Sequence, residues 1–221
     1  DAAIPAPLWS RGLGDVYKRQ VYGLPELNRD AIKSASLVAN PGCYPAASIL
    51  ALAPAVSHGI VNDDVIIDAK SGISGAGRGG ISASTIDQFA EANENVVAYA
   101  LDGHGHRFEI AHELAGLSGT HRFNVTFVPH RIPMTRGIMA TCYASLKESS
   151  FTKEDVLEIY RDFYNVERFV NVTDQPPHTK YTVGSNFCFI HPTAVSYTHL
   201  RAHETREDLG LRGVGLKKKG G

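Results

Sequence analysis

Between residues 21 and 194 the chain is patterned almost continuously, and the pattern changes period from segment to segment. "NRDAIKSA" (28–35) reads as a short helix with Asn28 as its N-cap. "SLVAN" (36–40) is strand-like and runs into a Pro-Gly turn. "PAASILALAPAV" (45–56) is an apolar, alanine-rich helix with Pro45 in its first turn. "DVIIDA" (64–69) is a compact buried strand, followed by the glycine-rich loop "SGISGAGRGG" (71–80) and a further strand in "ENVVAYAL" (94–101). In "HRFEIAHELAGLSG" (106–119), Ile110, Leu114 and Leu117 recur at helical spacing and Gly119 marks the stop. Phe123, Val125 and Phe127 alternate with Asn124 and Thr126, the signature of a half-buried strand, and "RGIMATCYASL" (136–146) alternates again. Thr152 caps a helix whose predicted buried stripe is Val156, Ile159 and Phe163. "RFVNV" and "NFCFI" are short late strands. Helices and strands are mixed rather than strictly alternating. The expected class is therefore α+β, a mixed and mostly antiparallel sheet with helices on one face.

The two ends lack any such period. The chain opens on Asp1 with "DAAIPAPLWSRGLGDVYKRQ" and closes on "SYTHLRAHETREDLGLRGVGLKKKGG". Residues 1–20 and 195–221 are expected to be non-native flanks around a domain spanning 21–194.

Composition narrows the function. The 221 residues are 43% hydrophobic with a net charge of −1, which suits a globular domain and gives no basic footprint for nucleic acid or a membrane surface. No apolar run approaches the roughly 18 residues of a bilayer-spanning segment. Three widely spaced cysteines argue against a disulfide framework or zinc knuckle, and a reducing cytoplasmic setting is expected.

The chemistry begins at "ANPGCYPAAS" (39–48). Pro41 and Gly42 set a turn, and Pro45 suits the first turn of the helix behind it. Cys43 is thus expected beside a helix N-terminus, where unpaired N–H groups favour negative charge and lower a thiol's proton affinity. Cys142, on an alternating strand, and Cys188, between two phenylalanines, read as core. "DGHGHRFEI" places His104 and His106 at the mouth of another helix, with Glu109 one turn beyond His106 to orient it. A thiol and an imidazole at two helix starts suggest nucleophilic catalysis. His104, His106 and His112 lack a second cluster of acidic or thiol ligands, so no metal site is expected. Gly75, Gly77 and Gly80 match G-x-G-x-x-G only formally, because no helix with a suitably spaced acid follows. Ser71, Ser74, Arg78 and the loop amides offer an anion site instead.

Taken in order, "YGLPELNR", "ANPGCYPAA", "DAKSGISGAGR", "HGHRFEI", "FVPHRIPMTRGI" and "GSNFC" resemble the N-acetyl-gamma-glutamyl-phosphate reductase family across about residues 21–190. That family is similar in architecture to the glyceraldehyde-3-phosphate and aspartate-semialdehyde dehydrogenases, which join a Rossmann domain to a catalytic, dimer-forming α+β domain. The resemblance implies a catalytic-domain fragment with the Rossmann domain missing. It implies Cys43 as nucleophile toward an acyl phosphate, with NADPH as reductant held largely by the missing domain. It further implies His106 as the acid–base histidine with His104 beside it, Glu109 as orienting partner, and Ser74, Arg78, His130 and Arg136 as substrate contacts. Gly75, Gly77, Gly184, Ser185 and Asn186 fall on the cofactor side, and the complete enzyme is expected to be a homo-oligomer. Gly105 and Phe108 depart from the family's HRHxPEI pattern and leave the roles of His104 and His106 open. Two other readings remain: a cofactor-independent cysteine hydrolase, and a non-catalytic dimerisation module.

Overall fold

The computed structural model describes residues 20–77, 88–195 and 199–206. They belong to two compact units that divide between Pro41 and Gly42, a boundary the hydrophobic pattern does not announce.

In the first unit, β1 (Val21–Tyr22) pairs in parallel with β2 (Val38–Ala39), joined through helix α1 (Pro25–Ser34). The helix starts before Asn28, contrary to the expected cap. Pro25 occupies its first position, where a fixed φ and a missing N–H cost nothing. Asn28 instead sits at a kink (φ −126°, ψ 25°), and its Nδ2 donates to Tyr22 O at 3.1 Å.

The second unit is built on seven strands: β3 (Val61–Ser71), β4 (Val97–Ala98), β5 (Asn124–Arg131), β6 (Ile138–Leu146), β7 (Val170–Val172), β8 (Cys188–Val195) and β9 (His199–Arg206). Their spatial order is β4-β5-β3-β6-β9-β8-β7. β3–β5 and β7–β8 are parallel and the other four pairs antiparallel, so the sheet is mixed and mostly antiparallel as the pattern predicts. Helices α2 (Cys43–Ser57), α4 (Gly105–Ser118) and α5 (Lys153–Phe163) cover one face, and a single turn of helix, α3 (Phe89–Ala92), precedes β4. Val65, Ile67, Val125, Phe127, Ala140, Cys142, Leu200 and Ala202 point under the helices and are buried. The opposite face presents Ile66, Asp68, Lys70 and Tyr143, all at least partly exposed.

Helix α2 is the centre of the core: every residue from Tyr44 to Val56 is buried. Its interior Pro54 has no N–H for Leu50 O, and the hydroxyl of Tyr164 donates to that carbonyl at 2.7 Å. Tyr160 donates likewise to Ala51 O at 2.7 Å. This corrects the stripe expected on α5. Its fully buried positions are Val156 and Tyr160, with Tyr164 at the C-cap, because the phenols can satisfy carbonyls inside the core. Ile159 and Phe163 are only partly buried. Thr152 caps α5 as expected, in a reciprocal box with Asp155.

Two other expectations shift. Of "ENVVAYAL", only Val97 and Ala98 pair, since Glu94 and Ala100 adopt left-handed φ (58° and 47°) and close the segment at both ends. His199–Arg206, read from sequence as pattern-free, runs between β6 and β8. Leu200, Ala202, Glu204 and Thr205 are its buried residues, and the two polar ones among them hide the apolar alternation. No helix among the described residues is long and apolar enough to cross a membrane.

Candidate active site

Two helix starts converge. Gly42 is the N-cap of α2 and Cys43 its first residue, half-buried and reduced. The first N–H groups of a helix have no acceptor within it. Pro45, third in the helix, removes one such donor, and Ala46 N makes the first intrahelical bond, to Gly42 O at 3.0 Å. Facing this turn is the start of α4. His104 is its N-cap, and its Nδ1 accepts from His106 N at 3.2 Å. The His106 ring lies directly over Gly42: a Cβ added there would come within 2.5 Å of Nε2 and 2.8 Å of Cδ2. Only glycine admits the imidazole so close to the cysteine turn.

Glu109, one turn into α4, accepts a 2.8 Å hydrogen bond from Gly42 N. This bond ties α4 to the cysteine turn. His106 Nδ1 is buried and makes no hydrogen bond among the described residues. Burial, and then the neighbouring His104, hold His106 down to about 4, so it is a neutral imidazole near pH 7. His104 is lowered in the same way, by burial first and by the Arg131 charge second.

A second cluster surrounds the glycine loop. Ile73–Ala76 forms a 3-10 turn, and the loop entrance is laced to the β5–β6 connection. Gly72 N donates to Gly137 O, Ile73 N to Met134 O and Ser74 N to Thr135 O, all between 2.9 and 3.0 Å. A Cβ on Gly72 would meet Met134 O at 2.7 Å, so the close approach requires glycine. Ser74 thereby lies against the segment carrying Arg136, which is exposed. The Ser74 hydroxyl is buried with no hydrogen-bond partner among the described residues, a group open to an anion. Gly75 and Gly77 flank Ala76 on the same turn, and Gly77 takes φ +65° with open space over its Cα. Arg78 lies outside the described residues.

The structure thus brings together Cys43, His104, His106 and Glu109, and separately Ser74, Gly75, Gly77 and Arg136. His130 belongs to neither cluster. On β5 it alternates to the face opposite Pro129 and Arg131, where its Nδ1 stands 3.1 Å from Asp68 Oδ1, out of hydrogen-bond alignment. Gly184, Ser185 and Asn186 form the turn into β8. Gly184 has φ +72° and open space, Ser185 Oγ is occupied by Thr182 O at 2.8 Å, and Asn186 is exposed.

Four residues bridge the clusters: Ser71, expected beside the anion loop, and Tyr44, Tyr99 and Arg131, which sequence pattern alone does not join to the site. Tyr99 Oη donates to Tyr44 Oη at 3.0 Å, and Arg131 donates to Ser71 Oγ and Gly72 O. Strand parity was the available signal for Arg131, which shares the inward face of Val125, Phe127 and Pro129.

Comparison with known proteins gives this geometry a family. Residues 43–202 match the model of the family described as semialdehyde dehydrogenase, dimerisation domain. An N-acetyl-gamma-glutamyl-phosphate reductase of Dehalococcoides mccartyi is 55% identical over 172 residues, covering 78% of this chain and 49% of its own length. The protein of that name from Heliobacterium modesticaldum is 47% identical over 184 residues, covering 80% and 52%. The chain therefore spans about half the length of the curated relatives it matches. Aspartate semialdehyde dehydrogenase II of Vibrio cholerae shares the fold, with a TM-score of 0.65 at 14% identity over 86% of this chain and 64% of that one. The chain belongs to the semialdehyde dehydrogenase dimerisation-domain family.

Proposed function

We propose that this chain supplies the acyl-accepting half of an NADPH-dependent reductase. The enzyme would convert N-acetyl-L-glutamyl 5-phosphate to N-acetyl-L-glutamate 5-semialdehyde, a step of arginine biosynthesis. The observation that carries the reading is the neutral His106 ring seated over Gly42, beside Cys43 at the start of α2. His106 takes the thiol proton as Cys43 Sγ attacks the acyl carbon. The bond from that carbon to the phosphate oxygen breaks, and phosphate leaves with the electron pair. The first-turn amides of α2 favour negative charge developing beside them. Ser74, with its unpartnered hydroxyl, and Arg136 receive the phosphate, and Arg78 is assigned there by resemblance. His130, whose side chain lies on the opposite face of β5 from Arg131, is kept as a substrate contact by resemblance alone.

The product is a thioester on Cys43. When bound, NADPH supplies the hydride that takes the thioester carbon to the aldehyde. The described residues fit only the edge of such a cofactor: the open backbone at Gly184, with Ser185 and Asn186 beside it, and the glycines of the 73–77 turn. His106 returns its proton to the departing sulfur. The family description, a dimerisation domain, supports a homo-oligomer in the complete enzyme, whose proposed setting is the cytoplasm.

The test is a single turnover without cofactor. The chain, mixed with N-acetyl-L-glutamyl 5-phosphate, should release one equivalent of phosphate and carry an acyl group on Cys43 by peptide mass mapping. Continuous phosphate release would favour the hydrolase reading. No acylation would leave only the dimerisation module.

A further inference from the structure

β5 sends its side chains alternately to two faces, and Arg131 follows Val125, Phe127 and Pro129 toward the helices, where it is 6% exposed. A guanidinium in that position is destabilising unless its charge and donors are met; Nε makes no hydrogen bond among the described residues, so the contacts of Nη1 and of the ring plane carry the compensation. Nη1 donates to Ser71 Oγ and, at 2.9 Å, to Gly72 O. The guanidinium carbon stands 5.1 Å from the centre of the Tyr99 ring, in cation–π contact. Tyr99 Oη donates to Tyr44 Oη, which in turn donates to His130 O at 3.3 Å. Tyr44 follows Cys43 in α2, and its ring packs edge-on against His104 (6.0 Å) and His106 (5.9 Å). One buried cation therefore touches the root of the glycine loop and the aromatic floor beneath both imidazoles.

We propose that Arg131 is a positioning residue for the cysteine site: it locks the loop entrance and the Tyr99–Tyr44 pair into one unit and so keeps His104 and His106 in register with Cys43. The inference rests on Cys43 being the acyl acceptor. Electrostatics agree with the geometry. His104 is surrounded by His106 from its own helix, Tyr44 from α2, Tyr99 from the segment after β4, and Phe127 and Arg131 from β5. After burial, the charge of Arg131 is what holds His104 neutral, leaving its Nδ1 able to accept from His106 N. Lysine could replace the charge but not the planar guanidinium that lies over the Tyr99 ring while Nη1 reaches Ser71 and Gly72.

The test uses the chain itself with Arg131→Met, Arg131→Lys and Tyr99→Phe. Two quantities are read: the rate of Cys43 acylation by N-acetyl-L-glutamyl 5-phosphate, and the titration midpoint of the His104 ring by NMR. Arg131→Met should slow acylation roughly 10²-fold, the scale of a displacement of about 1 Å at a reacting centre, and raise the His104 midpoint. Arg131→Lys should keep the midpoint low while acylation stays slow. Tyr99→Phe keeps the ring under the guanidinium, loses the hydroxyl contact, and should slow acylation less. A wild-type rate together with an unmoved midpoint in Arg131→Met overturns the proposal. If that variant does not fold, a wild-type rate in Tyr99→Phe overturns it. If wild-type chain is not acylated at all, the functional reading fails, and the His104 midpoint alone decides the role of Arg131.

Discussion

Cys43 and Cys142 are the same side chain in two dielectric settings. Cys142 sits mid-strand on β6, opposite Ile67 and Ala202, wholly buried. Burial drives its thiol far upward, and the nearby Glu204 carboxylate adds to the effect, so no thiolate forms at any ordinary pH. Cys188 is buried too, and its Sγ donates to Glu204 Oε1 at 3.2 Å. Cys43 lies half-buried where a helix begins, with an imidazole over the preceding residue. Position relative to helix ends and solvent, rather than residue type, separates an inert thiol from the proposed nucleophile.

Exchanging the cysteines tests that contrast most severely. Cys43→Ser should cut single-turnover phosphate release by about 10³-fold or more, because the hydroxyl is a far weaker nucleophile at neutral pH. Cys142→Ala should leave the rate within about twofold and only loosen the core. Equal losses in both would erase the distinction.

The next effect isolates the base. His106→Asn keeps a side chain over Gly42 but cannot take the thiol proton, and the acylation rate should fall roughly 10²–10⁴-fold. His112→Asn, on the exposed side of the same helix, should not change it. A small effect at His106 would transfer the role to His104.

The topology class and the two helix mouths are legible in the sequence because alternation, caps and prolines are local signals. Cys43 sits between Pro41-Gly42 and Pro45, and Gly119 ends α4 with φ 70° as its position suggests. What escapes is long-range. The Glu109 bond to Gly42 spans 67 residues, and helical spacing carries no sign of it. The inward turn of Tyr160 and Tyr164 depends on carbonyls of α2 that lie more than a hundred residues away. His130 shares a motif with Arg136, and strand parity sets its side chain opposite Arg131, because neighbours on a strand face opposite sides.

Acid stability gives a finer measure of the same buried imidazole. An unfolded histidine binds its proton near 6.5, whereas folded His106 does so only at about 4. Above pH 6.5 neither state is protonated and there is no penalty. As pH falls from 6.5 toward 4 the unfolded chain takes up the proton first, so the folded state loses stability, on the order of 3 kcal/mol over that window. Urea midpoints measured from pH 7.5 to 4 should therefore fall more steeply for the wild-type chain than for His106→Asn. Parallel curves would mean that the ring is open to water, and that its placement over Gly42 is not the resting state.

The smallest effect lies at the other end of α2, where chemistry is absent and only the helix is at stake. Pro54 leaves Leu50 O without its usual donor, and Tyr164 Oη fills the place from α5. Tyr164→Phe keeps the ring and deletes that one bond, leaving a buried carbonyl short of a donor. The expected cost is about 1–2 kcal/mol, with Cys43 acylation unchanged because the opposite end of the helix is held separately by Glu109 and Gly42. A rate that fell together with stability would show that α2 transmits strain along its length, and that the cysteine turn depends on the whole helix rather than on its own cap.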